Sequence, residues 1–205
     1  MFSIELEHCI RLVEVGALMG WNFAEDEKIP LNLDDRVAIF VDGGSLFRAA
    51  NHLNLEVDYE KLLPCLLKGR NLLRAYFYTG FSPGNNKQSS FLRWMQNNGY
   101  RVIQKELTVS ADGSRYADMG VEIAIDMLQF ADHPNHVNVL VLVSQDVDLV
   151  YALEKIVQRG VRLEVVGVRS MMQESMVTVA DNFIDLTSMQ DAIRKLRAEA
   201  KESVK

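Results

Sequence analysis

The sequence predicts an α/β fold: a doubly wound, mostly parallel sheet flanked by helices. Three observations predict it. From residue 36 onward, short apolar runs alternate with stretches of helical periodicity, the pattern of repeated strand-helix-strand units. The runs at 37–41, 139–143 and 163–166 are nearly continuous in Val, Ile and Leu, as strands covered on both faces should be. Two of these runs lead straight into acids, Asp42 after the first and Asp146 and Asp148 after the second. In open α/β sheets that carboxyl edge is where ligands and chemistry sit.

Each element follows from local signals. Residues 4–20 place Ile4, Ile10, Val13 and Leu18 at helical spacing, predicting a leading helix. Residues 22–35 are polar, contain Pro30 and read as a linker. A strand is expected at 36–41 and a helix near 45–53. A second helix is expected at 58–67, with Asp58 as its N-cap. A strand at 72–78 leads to a loop at 79–86 that is rich in Gly, Pro and Asn,. A helix at 87–97, a strand at 100–106 and a polar loop around Asp112-Gly113 come next. Then follow a helix at 118–131, a strand at 137–143 and a helix at 147–158 stopped by Gly160. A strand at 162–168, a short helix at 173–180, an edge strand at 183–186 and a charged helical tail at 188–205 complete the reading. The divisions are therefore 1–35, 36–187 and 188–205.

Composition narrows the function. With 205 residues the chain builds one substantial core,. Its two cysteines, Cys9 and Cys65, are far apart, which gives no zinc spacing and suits a reducing compartment. His133 and His136 read as solvated loop residues. No apolar run has the length of a membrane span,, and Glu5 and Glu7 stand where a signal peptide is basic,. The expected location is cytoplasmic. The net charge of −6 argues against general polyanion binding, so any nucleic-acid contact needs a local basic patch.

The acids carry the chemistry. Asp42-Gly43-Gly44-Ser45 offers a carboxylate, a tight turn and a hydroxyl that can approach a phosphate,. It reads equally as an Asp-Gly turn with Ser45 as a cap. Asp146 and Asp148 suit an N-cap and a first-turn acid. In the helix at 118–131, Asp118, Glu122 and Asp126 share one stripe with no Lys or Arg among them. An amphipathic helix simply has a wet face, but acids at this spacing repel one another. Together the three elements supply enough carboxylates for one or two hard cations, Mg2+ or Mn2+. Such centres hydrolyse phosphodiesters.

The ordered motifs resemble the NYN domain, a branch of the PIN-like ribonucleases, and especially its LabA-like bacterial subgroup. The resemblance rests on Val37-Ala-Ile-Phe-Val-Asp42-Gly-Gly-Ser45-Leu-Phe, Val57-Asp-Tyr-Glu-Lys-Leu-Leu and Arg74-Ala-Tyr-Phe-Tyr-Thr. It continues through Gly120-Val-Glu-Ile-Ala-Ile-Asp126, Val141-Leu-Val-Ser144-Gln-Asp146-Val-Asp148, Gly160-Val-Arg-Leu-Glu-Val-Val and Phe183-Ile-Asp185-Leu.

The resemblance implies a Rossmann-like PIN fold and Mg2+- or Mn2+-dependent endonucleolytic cleavage of RNA. The expected catalytic acids are Asp42, Asp118, Asp146 and Asp148, with Glu122 and Asp126 as further metal ligands. Ser45 and Ser144 would orient phosphate or carboxylates. Phe81 and Tyr116 would stack bases of a single strand, and Arg48, Arg70, Arg115 and Arg169 would flank its phosphates. The chain departs from the family pattern in three places. Ser45 replaces the usual Asn. Gln145 and Val147 replace Gly and Ser beside and between the acids. Gly120 and Ala117 stand where the helix motif has its acid and its lysine, so Asp118 or Glu122 must supply the acid. These departures set up an alternative, a degenerate NYN-fold module that binds RNA or nucleotide without turnover. A homodimer through residues 4–20 is a further expectation.

Overall fold

The structure, a computed structural model, describes residues 30–110, 113, 115–132 and 137–195. The expected helix at 4–20, the dimer contact assigned to it, His133, His136 and residues 196–205 of the tail lie outside that set.

Alternation along the first strand, β1 (Arg36–Asp42), divides the interior in two. Val37, Ile39 and Val41 point into one core and Ala38 and Phe40 into the other. All five are fully buried, as a strand inside a two-sided sheet must be. The chain then runs through α1 (Gly43–His52), α2 (Tyr59–Leu67), β2 (Asn71–Phe81), α3 (Asn86–Asn97) and β3 (Tyr100–Glu106). A hairpin of β4 (Thr108–Val109) and β5 (Arg115–Tyr116) precedes α4 (Gly120–Ala131) and β6 (Val139–Val143). A 3-10 turn (Val147–Leu149), α5 (Val150–Val157), β7 (Arg162–Gly167), α6 (Glu174–Val179), β8 (Asn182–Asp185) and α7 (Leu186–Met189) follow.

The six long strands form one parallel sheet in the order β3-β2-β1-β6-β7-β8. The first core takes Leu46 from α1, Leu62 and Leu66 from α2, Met95 from α3 and Leu186 from α7. The second takes Ile123 and Met127 from α4, Leu153 from α5 and Met176 from α6. From β1 the chain crosses over the first core, and from β6 over the second. The β1–β6 pair is therefore the topological switch point, where an open parallel sheet leaves a crevice at its carboxyl edge. Gly43 lets α1 start close against β2, because a Cβ there would lie 2.8 Å from both the Tyr78 carbonyl oxygen and Phe77 Cζ.

Several boundaries differ from expectation. β2 runs on to Phe81, since Thr79, Gly80 and Phe81 pair with Gln104, Lys105 and Glu106; sheet pairing outweighs local turn propensity. The polar loop contains the β4–β5 hairpin. The helix expected from 118 begins at Gly120, because the Asp118 side chain takes the Gly120 amide instead of joining the helix. The tail helix stops at Met189. Beyond it Ile193 is buried and Arg194 bridges to Val57, so docking replaces helix over 190–195. Among the described residues no helix is long and apolar enough to cross a membrane.

Away from the carboxyl edge, Arg70 is not a solvated arginine. Its guanidinium makes a two-pronged pair with Glu164 of β7, at 2.7 and 2.8 Å, and donates to the carbonyls of Leu66 and Leu67. Lys68 is buried nearby. Burial pushes its ammonium down to about 8, with Glu164 opposing the shift and Arg70 adding to it.

Candidate active site

β1 and β6 deliver their terminal acids to the same crevice, and a pair of buried serines fixes the first. Asp42 Oδ1 accepts the amides of Gly44 and Ser45, at 3.0 and 3.2 Å. Its Oδ2 accepts the hydroxyls of Ser45 and Ser144, at 2.5 and 3.1 Å. Asp42 thus caps α1 and belongs to the crevice at once, so the capping and chemical readings are compatible. Ser45 and Ser144 are each 1% exposed. Both hydroxyls are committed to Asp42. Gln145, bulkier than the residue expected there, joins the two strand ends. Its amide donates to Ser45 Oγ at 3.2 Å and its side chain to the Ser45 carbonyl at 3.0 Å.

Asp146 and Asp148 follow β6. The Asp146 amide donates to Ser144 Oγ, and Asp146 Oδ1 caps the 3-10 turn through the Asp148 amide at 3.0 Å. Burial raises the Asp146 pKa above the usual carboxylate range, and the charges of Asp148, Asp42 and Asp118 add to that rise. The Asp148 amide opposes it. Asp148 is exposed to solvent.

Gly120 explains how α4 takes part. A Cβ there would stand 3.2 Å from Asp146 Oδ2 and 3.3 Å from Asp118 Oδ1. The absent side chain leaves the space on which two carboxylate oxygens converge. The rest of the acidic stripe has other partners. Glu122 Oε1 is paired with Lys105 at 2.8 Å, and that ammonium also donates to the Asp118 carbonyl. The Lys105 hydrogen bond draws the Glu122 pKa down against the opposing effect of burial. Asp126 Oδ2 accepts the hydroxyl of buried Tyr78 at 2.8 Å. Burial, then that hydrogen bond, drives the Tyr78 pKa far upward, so it stays a donor.

Asp42 ends β1 and Asp146 follows its neighbour β6, oxygens of Asp118 and Asp146 converge over Gly120, and Glu122 and Asp126 are held by Lys105 and Tyr78. Lys105 and Tyr78 carried no signal in the sequence, because each meets its acid across an element boundary. Phe81 ends β2 opposite Glu106. Tyr116 stands on the hairpin, 51% exposed. Arg169 is turned to Glu174.

Among the described residues no three His, Cys, Asp or Glu side chains form a ready-made metal cluster. The cradle over Gly120 nevertheless fits a hard cation. Its donors are all oxygen, it draws two carboxylates together, and a second oxygen of neighbouring Glu122, Oε2, is buried without a partner. Mg2+ commonly takes one or two carboxylates and completes its shell with water and substrate phosphate. Filling the cradle tests this fit. Gly120→Ala is expected to weaken Mn2+ binding about tenfold in calorimetry, roughly 1.4 kcal/mol, with an unchanged melting temperature, since Ala suits a helix start. Equal affinity in the variant would remove the cradle from the site.

A sequence profile of the NYN domain matches residues 36–187. The chain is 29% identical over 168 residues to the low amplitude and bright protein LabA of Synechococcus elongatus, covering 78% of this chain and 88% of that one. Among solved structures, a protein of unknown function from Vibrio parahaemolyticus superposes with a TM-score of 0.67 at 24% identity. That match spans 82% of this chain and all of the other, and speaks for the fold alone.

Proposed function

The chain belongs to the NYN domain family, and from that membership we propose that it is an endoribonuclease dependent on Mg2+ or Mn2+. The observation that carries the proposal is geometric: β1 and β6, neighbours at the switch point, lead into Asp42 and Asp146, and an Asp146 oxygen converges with one of Asp118 over Gly120. Asp118 and Asp146 are the residues that would hold the cation over Gly120, with Asp42 and Asp148 flanking it. When bound, the ion supplies an acidified water and neutralises charge on the phosphoryl oxygens.

The chain's own groups have separate tasks. Ser45 and Ser144 fix the rotamer of Asp42. Exposed Asp148 accepts the proton of the attacking water. Lys105 neutralises Glu122 and anchors the Asp118 backbone, which offsets part of the charge that would repel RNA. The substrate is single-stranded RNA, which exposed Tyr116 and Phe81 at the end of β2 would stack,.

The test is cleavage of a labelled single-stranded RNA in Mn2+, in Mg2+ and in EDTA. Cleavage is expected with either metal, lost in EDTA and regained when Mn2+ is restored. Persistence in EDTA sinks the metal assignment. The alternative, an NYN-fold module that binds without turnover, is favoured by the lack of a ready-made three-acid cluster among the described residues. RNA binding with no product in Mn2+ selects it.

A further inference from the structure

We infer that Arg48 is the phosphate clamp of this centre, the side chain that holds the non-bridging oxygens of the nucleic-acid backbone beside the acids. The inference rests on the nuclease reading above and adds the residue that admits a polyanion to an acidic crevice. An acidic chain with converging carboxylates repels RNA unless a cation faces the incoming strand.

The start of α1 cannot hold the phosphate by itself. The amides of Gly44 and Ser45 are already given to Asp42 Oδ1, and the Ser45 hydroxyl is buried and donates to Asp42 Oδ2. The donors that this turn would offer a phosphate are therefore engaged by Asp42. Arg48, one turn along α1, takes over. Its Nη2 donates to Ser45 Oγ at 2.9 Å, and its Nη1 lies 3.6 Å from where a Gly44 Cβ would stand. The residue is exposed.

The Ser45 hydroxyl stands between Arg48 and Asp42, so the guanidinium is tethered to the centre without a direct ion pair to Asp42. Two other cations are engaged in ion pairs, Lys105 with Glu122 and Arg169 with Glu174. Among the described residues Arg48 makes no ion pair. A guanidinium has five donors in a planar fork that matches two phosphate oxygens, and a single one is engaged here.

The experiment is fluorescence anisotropy with a labelled short oligouridylate in Ca2+ at several salt concentrations. Wild type, Arg48→Ala, Arg48→Lys and Asp146→Asn are compared, with Mn2+ affinity measured on each. Arg48→Ala is expected to bind about tenfold more weakly, with a salt slope smaller by about one, while its Mn2+ affinity stays at the wild-type value. Arg48→Lys should recover the slope but only part of the affinity, because an ammonium cannot grip two oxygens at once. Asp146→Asn should bind RNA at least as tightly as wild type. Unchanged affinity and slope in Arg48→Ala overturn the clamp and leave the nuclease reading standing. A fall in Mn2+ affinity with an unchanged slope overturns it too, in favour of a role in orienting Asp42. Failure of the wild type to bind any oligonucleotide overturns the clamp together with the nuclease reading.

Discussion

Asp146→Asn is expected to abolish RNA cleavage, by at least 10²–10³-fold on the scale of a lost electrostatic contact at a reacting centre, while making the protein more stable. The Asn side chain keeps the oxygen that caps the 3-10 turn, so the backbone has no reason to change. It removes a carboxylate that burial and three neighbouring acids hold at a raised pKa. The direction follows from linkage. A carboxyl whose folded pKa lies above its unfolded value binds more protons when folded, so stability falls as pH rises through that interval. Above that interval the wild type has lost that stability, and the variant never does,.

The gain should be small, no more than about 1 kcal/mol, because Asp146 is partly exposed and screened. Thermal melts in EDTA should place the variant a few degrees above wild type. Mn2+ should then raise the wild type and leave the variant where it was. A variant that melts lower than wild type in EDTA would mean that Asp146 is structural, and retained cleavage would remove it from catalysis.

Glu164→Gln is expected to have the largest effect on stability, a loss of about 3–5 kcal/mol. The Arg70 side chain is 0% exposed and that of Glu164 3%, so the change strands a guanidinium that cannot reach water. Burial also works against the nearby Lys68 ammonium, and the Glu164 charge is what opposes it; removing that charge lets the shift grow. The double change Arg70→Met with Glu164→Leu should recover much of the loss, because apolar residues of similar size escape the desolvation cost. Urea unfolding of the singles and the double forms the cycle. A single substitution costing less than about 1 kcal/mol would show that water reaches the pair.

Much of the sheet was legible because its strands are covered on both faces, and such runs need only apolar residues bounded by turns. Asp42, Asp146 and Asp148 were legible for a related reason: a strand end at the carboxyl edge has a defined place in the fold. What escaped depended on partners distant in sequence. Lys105 meets Glu122 across 17 residues, from a strand to a helix, and no periodicity reports such a pair. Tyr78 read as the end of a strand, yet β2 continues three residues beyond it and turns its hydroxyl to Asp126. Arg70 read as an arginine flanking substrate phosphates, because its partner Glu164 lies 94 residues away. Gly120 looked like a missing acid. The structure makes it a space, a role composition cannot express.

The hydrogen bond between Ser144 and Asp42 joins residues 102 apart in the chain, and that distance orders events in time. During synthesis Asp42 emerges early, while Ser144, Asp146 and Asp148 appear only after most of the domain has left the ribosome. Contacts this remote must await closure of the long intervening segment. The nascent chain, surrounded by messenger and ribosomal RNA, therefore carries half a centre for most of its translation. On the ribonuclease reading proposed above, the site stays incomplete until the domain is finished.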